Sequence, residues 1–296
     1  MNRLVLSALL LLIVAVWGWT FVLVKDAVQS YGVLPFLAVR FAIGATCVGL
    51  FAARRASRRT LGAGALIGTI LALAFLLQTS GLQHSTATST AVITGLFIIF
   101  APLANRLLFG VRTNSVLWGA ICISLIGLTL LTGAAPTGPA SGDLLALGGA
   151  ACFGLHVALL DRYSKQHQAG VLVLGQLLGA TSIFASAWLV AQPPTWPPPH
   201  VWPALLITGV VATAAAYFVQ TYVQQRLSAV ETAMIILTEP LFAAIFGYAL
   251  HGDRLNHFQI LGAILMVSAV FATELYPLVR RDRTSSVDRS PPEAVS

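Results

Sequence analysis

Residues 86–114 read TATSTAVITGLFIIFAPLANRLLFGVRTN, and residues 228–256 read SAVETAMIILTEPLFAAIFGYALHGDRLN. Set 142 positions apart, the two stretches agree at 10 of 29 positions. These are Ala87/Ala229, Thr90/Thr232, Ala91/Ala233, Ile93/Ile235, Phe100/Phe242, Ala101/Ala243, Leu108/Leu250, Gly110/Gly252, Arg112/Arg254 and Asn114/Asn256. Apolar sequence produces chance matches of Ala and Leu, so the weight rests on the Thr, Gly, Arg and Asn identities. Nearer the amino end the offset drops to 136, which sets Trp17-Gly18 on Phe153-Gly154, Thr20 on His156 and Arg40 on Gln176. Two copies of one unit are expected, over 1–135 and 140–280, followed by a polar, disordered cytoplasmic tail over 281–296.

Composition says what each copy contains. Of 296 residues, 57% are hydrophobic and 9% are charged, and the mean hydropathy is +0.84. A soluble domain carries about 25% charged residues. A chain this poor in charge could not cover a soluble surface, which excludes a cytosolic enzyme, a secreted domain and a disordered protein. A hydrocarbon core of about 30 Å needs roughly 20 apolar helical residues. Ten such stretches fill the chain: about 4–24, 33–53, 61–81, 87–108, 116–133, 141–160, 170–190, 201–223, 230–250 and 258–279. Five spans per copy is an odd number, so the second copy enters the membrane from the opposite side. The expected fold is an all-α polytopic membrane protein, ten transmembrane helices arranged as two inverted five-helix repeats. That architecture suits alternating access, with a site near the midplane between the halves.

Charge sets the orientation. With both termini cytoplasmic, the inner segments hold Arg3, Arg54, Arg55, Arg58, Arg59, Arg106, Arg112, Arg162, Lys165, Arg226, Arg280, Arg281, Arg283 and Arg289, which is 14 of the 17 basic residues. Lys25 and Arg254 fall outside, and Arg40 lies within a span. The positive-inside rule then accounts for the net charge of +7, and no nucleic-acid partner is expected. Arg3 before an apolar run resembles a signal peptide. The run is too long, however, and ends in Trp17-Gly18-Trp19-Thr20-Phe21 without a small-x-small cleavage site. The expected location is a bacterial-type inner membrane. Cys47, Cys122 and Cys152 sit apart in apolar stretches and read as buried small hydrophobes, with no disulfide or metal site.

Several short motifs fall in a recognisable order. Trp17-Gly18 lies in the first span, and Pro35 precedes Arg40 in the second. Thr94-Gly95-Leu96-Phe97 and Pro102 lie in the fourth, before Gly110. Gly142-Asp143 opens the sixth, Glu239-Pro240-Leu241-Phe242 lies in the ninth, His251-Gly252-Asp253-Arg254-Leu255 follows, and Gly262-Ala263 lies in the tenth. Over residues 4–279 the chain resembles the EamA-type members of the drug/metabolite transporter superfamily. It departs from the pattern where Glu usually follows the joint glycine: Val111 stands there in the first half and Asp253 in the second. The resemblance implies a ten-helix exporter of small metabolites, most similar to the aromatic and neutral amino-acid exporters of the YddG type.

Few polar residues lie deep in the spans, and these are the candidate site. Arg40 is about 10 Å along its helix from Val33. It either anchors a substrate carboxylate or pairs with Glu239, or it serves packing by snorkelling or by binding backbone carbonyls. Glu239, roughly 14 Å past Val230, precedes Pro240 near the midplane. It is either a proton-coupling or ammonium-binding carboxylate, or a protonated acid bonded within the fold. His156 is a relay or cavity residue, or a hydrogen-bonded packing residue. Trp17, Thr20, Gln78, Thr94, Phe97, Phe153, Tyr217, Gln220 and Thr238 supply the apolar walls and placed polar groups that a neutral zwitterion needs. Pro102 and Pro240 are candidate hinges. Trp188, Trp196 and Trp202 read as interfacial anchors. Gly64–Gly68 and Gly175–Gly179 have small-xxx-small spacing, which suits close helix approach and admits a homodimer.

The function classes separate on what is missing. The chain has no G-x-x-x-x-G-K-[ST], and Gly62-Ala63-Gly64 lies within a span, so neither ATP drive nor a nucleotide cofactor is expected. No H-E-x-x-H or G-x-S-x-G occurs, so enzyme chemistry and a metal are not expected either. A channel would show polar rings recurring along several helices. A secondary exporter of small metabolites is the favoured reading. Another drug or metabolite exporter, or a channel or structural membrane subunit, is the alternative.

Overall fold

A computed structural model of the protein describes residues 3–84, 87–133, 140–246, 248–249 and 254–287. Among them there is no strand. The chain runs α1 (Arg3–Tyr31), α2 (Val33–Ala52), α3 (Arg58–Gln83), α4 (Ala87–Gly95), α5 (Phe97–Phe109), α6 (Ser115–Thr132), α7 (Ala140–Ser164) and α8 (Ala169–Ala191). It continues through α9 (Trp202–Leu206), a π-helix (Ile207–Ala215), α10 (Ala216–Gln224), α11 (Ala229–Ile236), α12 (Glu239–Phe246) and α13 (His257–Val287). Nine spans among the described residues are long and apolar enough to cross a bilayer, and His257–Thr273 supplies a shorter apolar helix. The spans α4–α5, α9–α10 and α11–α12 are each built from more than one piece.

Local sequence sets the joints. Gly32, at φ +91°, is the single residue between α1 and α2 and adopts a backbone that other residues resist. Ser57 and Asn114 accept the Thr60 and Leu117 amides, at 3.2 and 2.9 Å, and so start α3 and α6. Gly110, at φ +68°, closes α5 in a left-handed cap. Two boundaries differ from the sequence expectation. α1 continues to Tyr31, because Lys25-Asp26 are polar without breaking the helix. α13 continues to Val287, past the expected start of the disordered tail at 281. The joint 134–139, His251-Gly252-Asp253 and the tail from 288 lie outside the described residues.

The halves interdigitate rather than sit side by side. In lipid, helices gain little from hydrophobic burial against each other, so close van der Waals contact has to hold them. Glycines permit it. A Cβ on Gly64 would lie 2.8 Å from the Gly175 Cα, and one on Gly68 would lie 2.7 Å from the Gln176 carbonyl carbon. The small-xxx-small spacings are thus used inside one chain, joining α3 to α8. Their counterpart joins α2 to the π-helix, where a Cβ on Gly209 would lie 3.1 Å from the Arg40 carbonyl oxygen. A Cβ on Gly127 of α6 would lie 2.7 Å from the Gly262 oxygen of α13. Each of these contacts crosses between halves.

Two large apolar clusters dominate the interior. One surrounds Phe36, Phe41 and Phe184, and the other surrounds Phe97, Ile98, Leu128 and Leu237. Leu50, Leu107, Phe258 and Ile264 are exposed on the outside of the bundle, as lipid-facing side chains are. Cys122 is exposed there too, and Cys47 and Cys152 are half-buried. The expectation of three buried thiols therefore fails: Cys122 faces out of the bundle, where an apolar side chain meets no penalty.

The arginine-rich end is tied together by polar contacts between elements. Arg3 pairs with Glu231, whose carboxylate also accepts the Ser228 amide at 2.8 Å in a capping box. Asn105 donates to Asp161 at 3.2 Å, and Lys165 donates to the other carboxylate oxygen at 2.6 Å. Thr60 meets His167 Nδ1 at 2.9 Å, and Gln225 donates to the Ser164 and His167 carbonyls.

Candidate functional site

Two interrupted spans define the centre. α4 gives way to α5 at Leu96, and α11 gives way to α12 at Leu237-Thr238. The interruptions are copies of each other. The Leu96 amide donates to the Ile93 carbonyl and the Thr238 amide to the Ile235 carbonyl, both at 3.1 Å. The Leu96 carbonyl accepts from Ile99 and Phe100, and the Thr238 carbonyl accepts from Leu241 and Phe242. Every partner is 142 positions from its mate. In the second copy, Thr238 Oγ1 also donates to the Ile235 carbonyl at 2.6 Å, and Pro240 removes an amide that a continuous helix would use. Pro102, expected as the first-half hinge, sits inside α5. The break falls at Leu96, after Gly95, a residue with little preference for helix.

The second arrangement is centred on the π-helix. Its wider turn displaces carbonyls from the ordinary ladder. The Ala212 carbonyl accepts Trp17 Nε1 at 2.8 Å and Arg40 Nη2 at 3.3 Å. Arg40 Nε donates to Thr213 Oγ1 at 2.8 Å, and the guanidinium lies 5.8 and 5.7 Å from the Phe41 and Phe75 ring centres. Arg40 is buried, with no carboxylate within ion-pair distance among the described residues. Its contacts are those of a group fixing α2 against the π-helix.

The repeat mates of Thr20 and Arg40 meet directly. His156 Nε2 lies 3.0 Å from Gln176 Oε1, and Gln176 Nε2 donates to Thr221 Oγ1 at 3.3 Å. Tyr217 joins these groups: its ring is 5.9 Å from Trp17, 6.0 Å from His156 and 6.2 Å from Phe41. Phe153 stacks edge-on Phe75 at 5.4 Å. Gln220 donates to Gln224, which donates to the Val157 carbonyl. Gln78 donates to Thr94 at 3.4 Å. Thr20 instead bonds within its own helix, to the Trp17 carbonyl.

Burial divides the candidates. Thr20, Arg40, Phe97, His156, Tyr217, Gln220 and Thr238 are buried, whereas Trp17, Gln78, Thr94, Phe153 and Glu239 keep half-open surface. Trp17 and Phe153, mates across the repeat, both border the Phe41 cluster; Phe153 also borders the Phe97 cluster, and Trp17 a third cluster around Leu6, Leu10 and Val14. Glu239 occupies the first turn of α12, where a carboxylate is favoured by the helix dipole, and its mate in α5 is Phe97. Sequence reasoning missed Gln176, Thr213, Thr221, Gln224, Phe41 and Phe75 as parts of this centre. The alignment of Gln176 with Arg40 was the one available signal. Trp188, expected at the interface, packs edge-on Tyr31 at 6.3 Å, and Trp196 is exposed.

A ten-helix membrane protein with matched broken helices and a polar-aromatic centre between its halves has the build of a carrier. The EamA-like transporter family matches the chain twice, over residues 5–133 and 140–274, and the chain belongs to that family. It is 28% identical over 266 residues to an uncharacterized transporter of Archaeoglobus fulgidus, covering 90% of this chain and 84% of that one. It is 27% identical over 177 residues to the threonine/homoserine exporter RhtA of Escherichia coli K12, covering 56% and 57%. It is 25% identical over 272 residues to the uncharacterized inner membrane transporter YedA of the same strain, covering 88% and 87%. A crystal structure of a protein shares the fold, with a TM-score of 0.76 at 18% identity over 93% of this chain and 99% of the other.

Proposed function

We propose that the protein is a secondary exporter of small neutral amino acids or related metabolites, working by alternating access in a bacterial-type inner membrane. Both termini and the arginine-rich end face the cytoplasm in this reading, and the units 1–135 and 140–280 exchange roles as the carrier turns over. The observation that carries it is the half-open set Trp17, Gln78, Thr94, Phe153 and Glu239 beside two matched helix breaks. This set offers two aromatic walls, an amide, a hydroxyl and one carboxylate, the inventory that a zwitterion with an uncharged side chain requires. Glu239 serves as the proton-coupling carboxylate. Arg40, His156, Tyr217 and Gln220 hold the walls in place.

Two side-chain classes compete within this reading. The aromatic walls favour large neutral amino acids, as in the YddG-type resemblance. The likeness to RhtA favours small hydroxylated ones. Proteoliposome uptake of labelled Phe, Trp, Tyr, Leu, Met and Thr, with and without a pH gradient, separates them. Counterflow of labelled against unlabelled solute is expected, since a carrier exchanges and a channel does not. Absence of uptake for the whole panel overturns the amino-acid reading.

A further inference from the structure

A second feature lies apart from the polar-aromatic centre of Trp17, Arg40, His156 and Tyr217. At the arginine-rich end, Pro102, Arg106, Arg112, Thr113 and Trp118 line a cavity of about 250 Å³. Pro102 and Arg106 are one helical turn apart on α5, and Trp118 comes from the first turn of α6. Arg112 and Thr113 belong to the joint between them. That joint is held in shape: the Gly110 amide donates to the Arg106 carbonyl at 3.0 Å, the Val111 amide to the Asn105 carbonyl at 3.3 Å, and Asn114 caps α6. The two arginines therefore line one small space on a fixed backbone.

The second half shows what is unusual here. Arg254, the mate of Arg112, lies 6.0 Å from the ring centre of Tyr248. Tyr248 is the mate of Arg106. Where the second half sets its cation against a ring, the first half sets a second cation. Neither Arg106 nor Arg112 has a carboxylate partner among the described residues. Arg106 and Arg112 are both exposed, so their guanidinium groups are free to turn toward an anion in the cavity, and their forked N–H donors match phosphate oxygens. The flanks say what the anion is attached to. Leu103, Leu107, Leu108, Val111 and Val116, on the same α5, joint and α6 segments as the lining residues, are exposed, so these segments present apolar surface. Trp118 is half-buried at its rim, as a residue at the head-group level is. Basic pockets between spans on this side of a membrane suit phospholipid head groups.

We infer that this cavity binds the phosphate of an anionic phospholipid, whose acyl chains lie along the apolar side chains of α5 and α6. The site is independent of the solute, and it holds whichever amino acid is carried.

The test is native mass spectrometry of the full-length protein released from detergent with phosphatidylglycerol or with phosphatidylcholine of the same chains. Wild type is compared with Arg106→Gln/Arg112→Gln and with Arg54→Gln/Arg55→Gln, which removes equal charge from another loop at the same end. Arg106→Lys/Arg112→Lys is included because it keeps the charge if the Gln pair fails to fold. Retention of phosphatidylglycerol is expected to fall roughly tenfold in the Arg106/Arg112 Gln pair, partly in the Lys pair, and little in the Arg54/Arg55 pair. Phosphatidylcholine is retained weakly by all four proteins. Equal losses in both Gln pairs overturn the site and leave only diffuse attraction. Displacement of the lipid by millimolar inorganic phosphate also overturns it, and assigns the cavity to a soluble anion.

Discussion

Gly18 and Ala243 meet backbone to backbone across the two halves: a Cβ on Gly18 would stand 2.9 Å from the Ala243 nitrogen. The same contact recurs in the other direction, where a Cβ on Gly154 would stand 2.7 Å from the Ala101 nitrogen. Gly154 is the mate of Gly18, and Ala101 is the mate of Ala243. Each first helix of a repeat therefore lies against the broken helix of the other repeat, directly beside the site. Movement at a break is felt by the opposite half through a contact with no side chain to absorb it.

Substitution tests that contact. Gly18→Ala and Gly154→Ala both force backbone apart, and overpacking of this kind costs about 1–3 kcal/mol. Gly154→Ala is expected to be the more severe, because its Cβ would meet Phe100 and Ala101 at 2.5–2.8 Å, closer than the 2.9–3.0 Å contacts with Ala243, Glu239 and Phe242 around Gly18. Gly62→Ala, which meets nothing within 4 Å, is the control and should leave thermal unfolding in detergent unchanged or slightly raised. Equal melting of all three variants would sink the close-packing account.

His156 and Gln176 form the second measurable relationship. Replacing His156 with Leu leaves the Gln176 carbonyl oxygen without its partner in a buried site, at about 1–3 kcal/mol. Gln176→Leu alone strands both His156 and Thr221. The double variant His156→Leu/Gln176→Leu is expected to melt higher than the sum of the single losses predicts. Strict additivity would mean that the two side chains do not act as a pair.

How much of this was readable beforehand depends on which physical rule set each feature. The span count and the repeat came from composition and from matches such as Arg112/Arg254, because bilayer thickness and packing glycines leave a direct mark on sequence. Of the two breaks, the second is marked in sequence by Pro240, two residues past Thr238, whereas the first is not marked by Pro102: it falls at Leu96, where the interruption is set by backbone bonding shared with its mate Thr238. The π-helix over Ile207–Ala215 reads as ordinary apolar helix, since what separates it is where the Ala212 carbonyl points. Gln176 is marked in sequence only as the mate of Arg40, because an uncharged amide costs less within a span than a guanidinium and so signals a polar partner less strongly.

Arg40 distinguishes packing from substrate binding. Its bonds to Thr213 and Ala212 need a planar fork, which Lys lacks. Arg40→Lys is expected to lower the melting temperature while the apparent KM for the carried solute stays within about twofold, a change of about 0.4 kcal/mol. A carboxylate anchor predicts the reverse, with KM raised about tenfold or more at unchanged melting, since hydrogen bonds to charged groups contribute about 1.5–3 kcal/mol.

Glu239 stands in the first turn of α12 with part of its surface open. Glu239→Gln keeps the size of the side chain, resembles its protonated form and removes its ionisation. Solute counterflow should persist in the variant, while uptake driven by a pH gradient drops to the level seen without one. Uptake that still follows the gradient would take Glu239 out of the coupling role.

Arg3 and Glu231 close the arginine-rich end, and their contributions can be separated. Glu231 makes two interactions, the ion pair to Arg3 and the capping bond to the Ser228 amide. Arg3 takes part in the first. Removing a partly exposed ion pair costs about 0–1 kcal/mol, and losing a cap costs about 1 kcal/mol more. Losing the ion pair alone is therefore expected to cost less than losing pair and cap together, with Glu231→Ala lowering stability measurably. Arg3→Ala has a second consequence. The pair joins α1 to α11, the helix that runs into the break at Leu237-Thr238, so its loss frees this end to open. A cysteine placed at Gln225, which is half-buried and bonded to the Ser164 and His167 carbonyls, reports that opening. Its labelling by a thiol reagent, on a background with Cys47, Cys122 and Cys152 replaced by Ala, should be faster with Arg3→Ala than without it. An unchanged labelling rate would show that the ion pair does not hold this end closed.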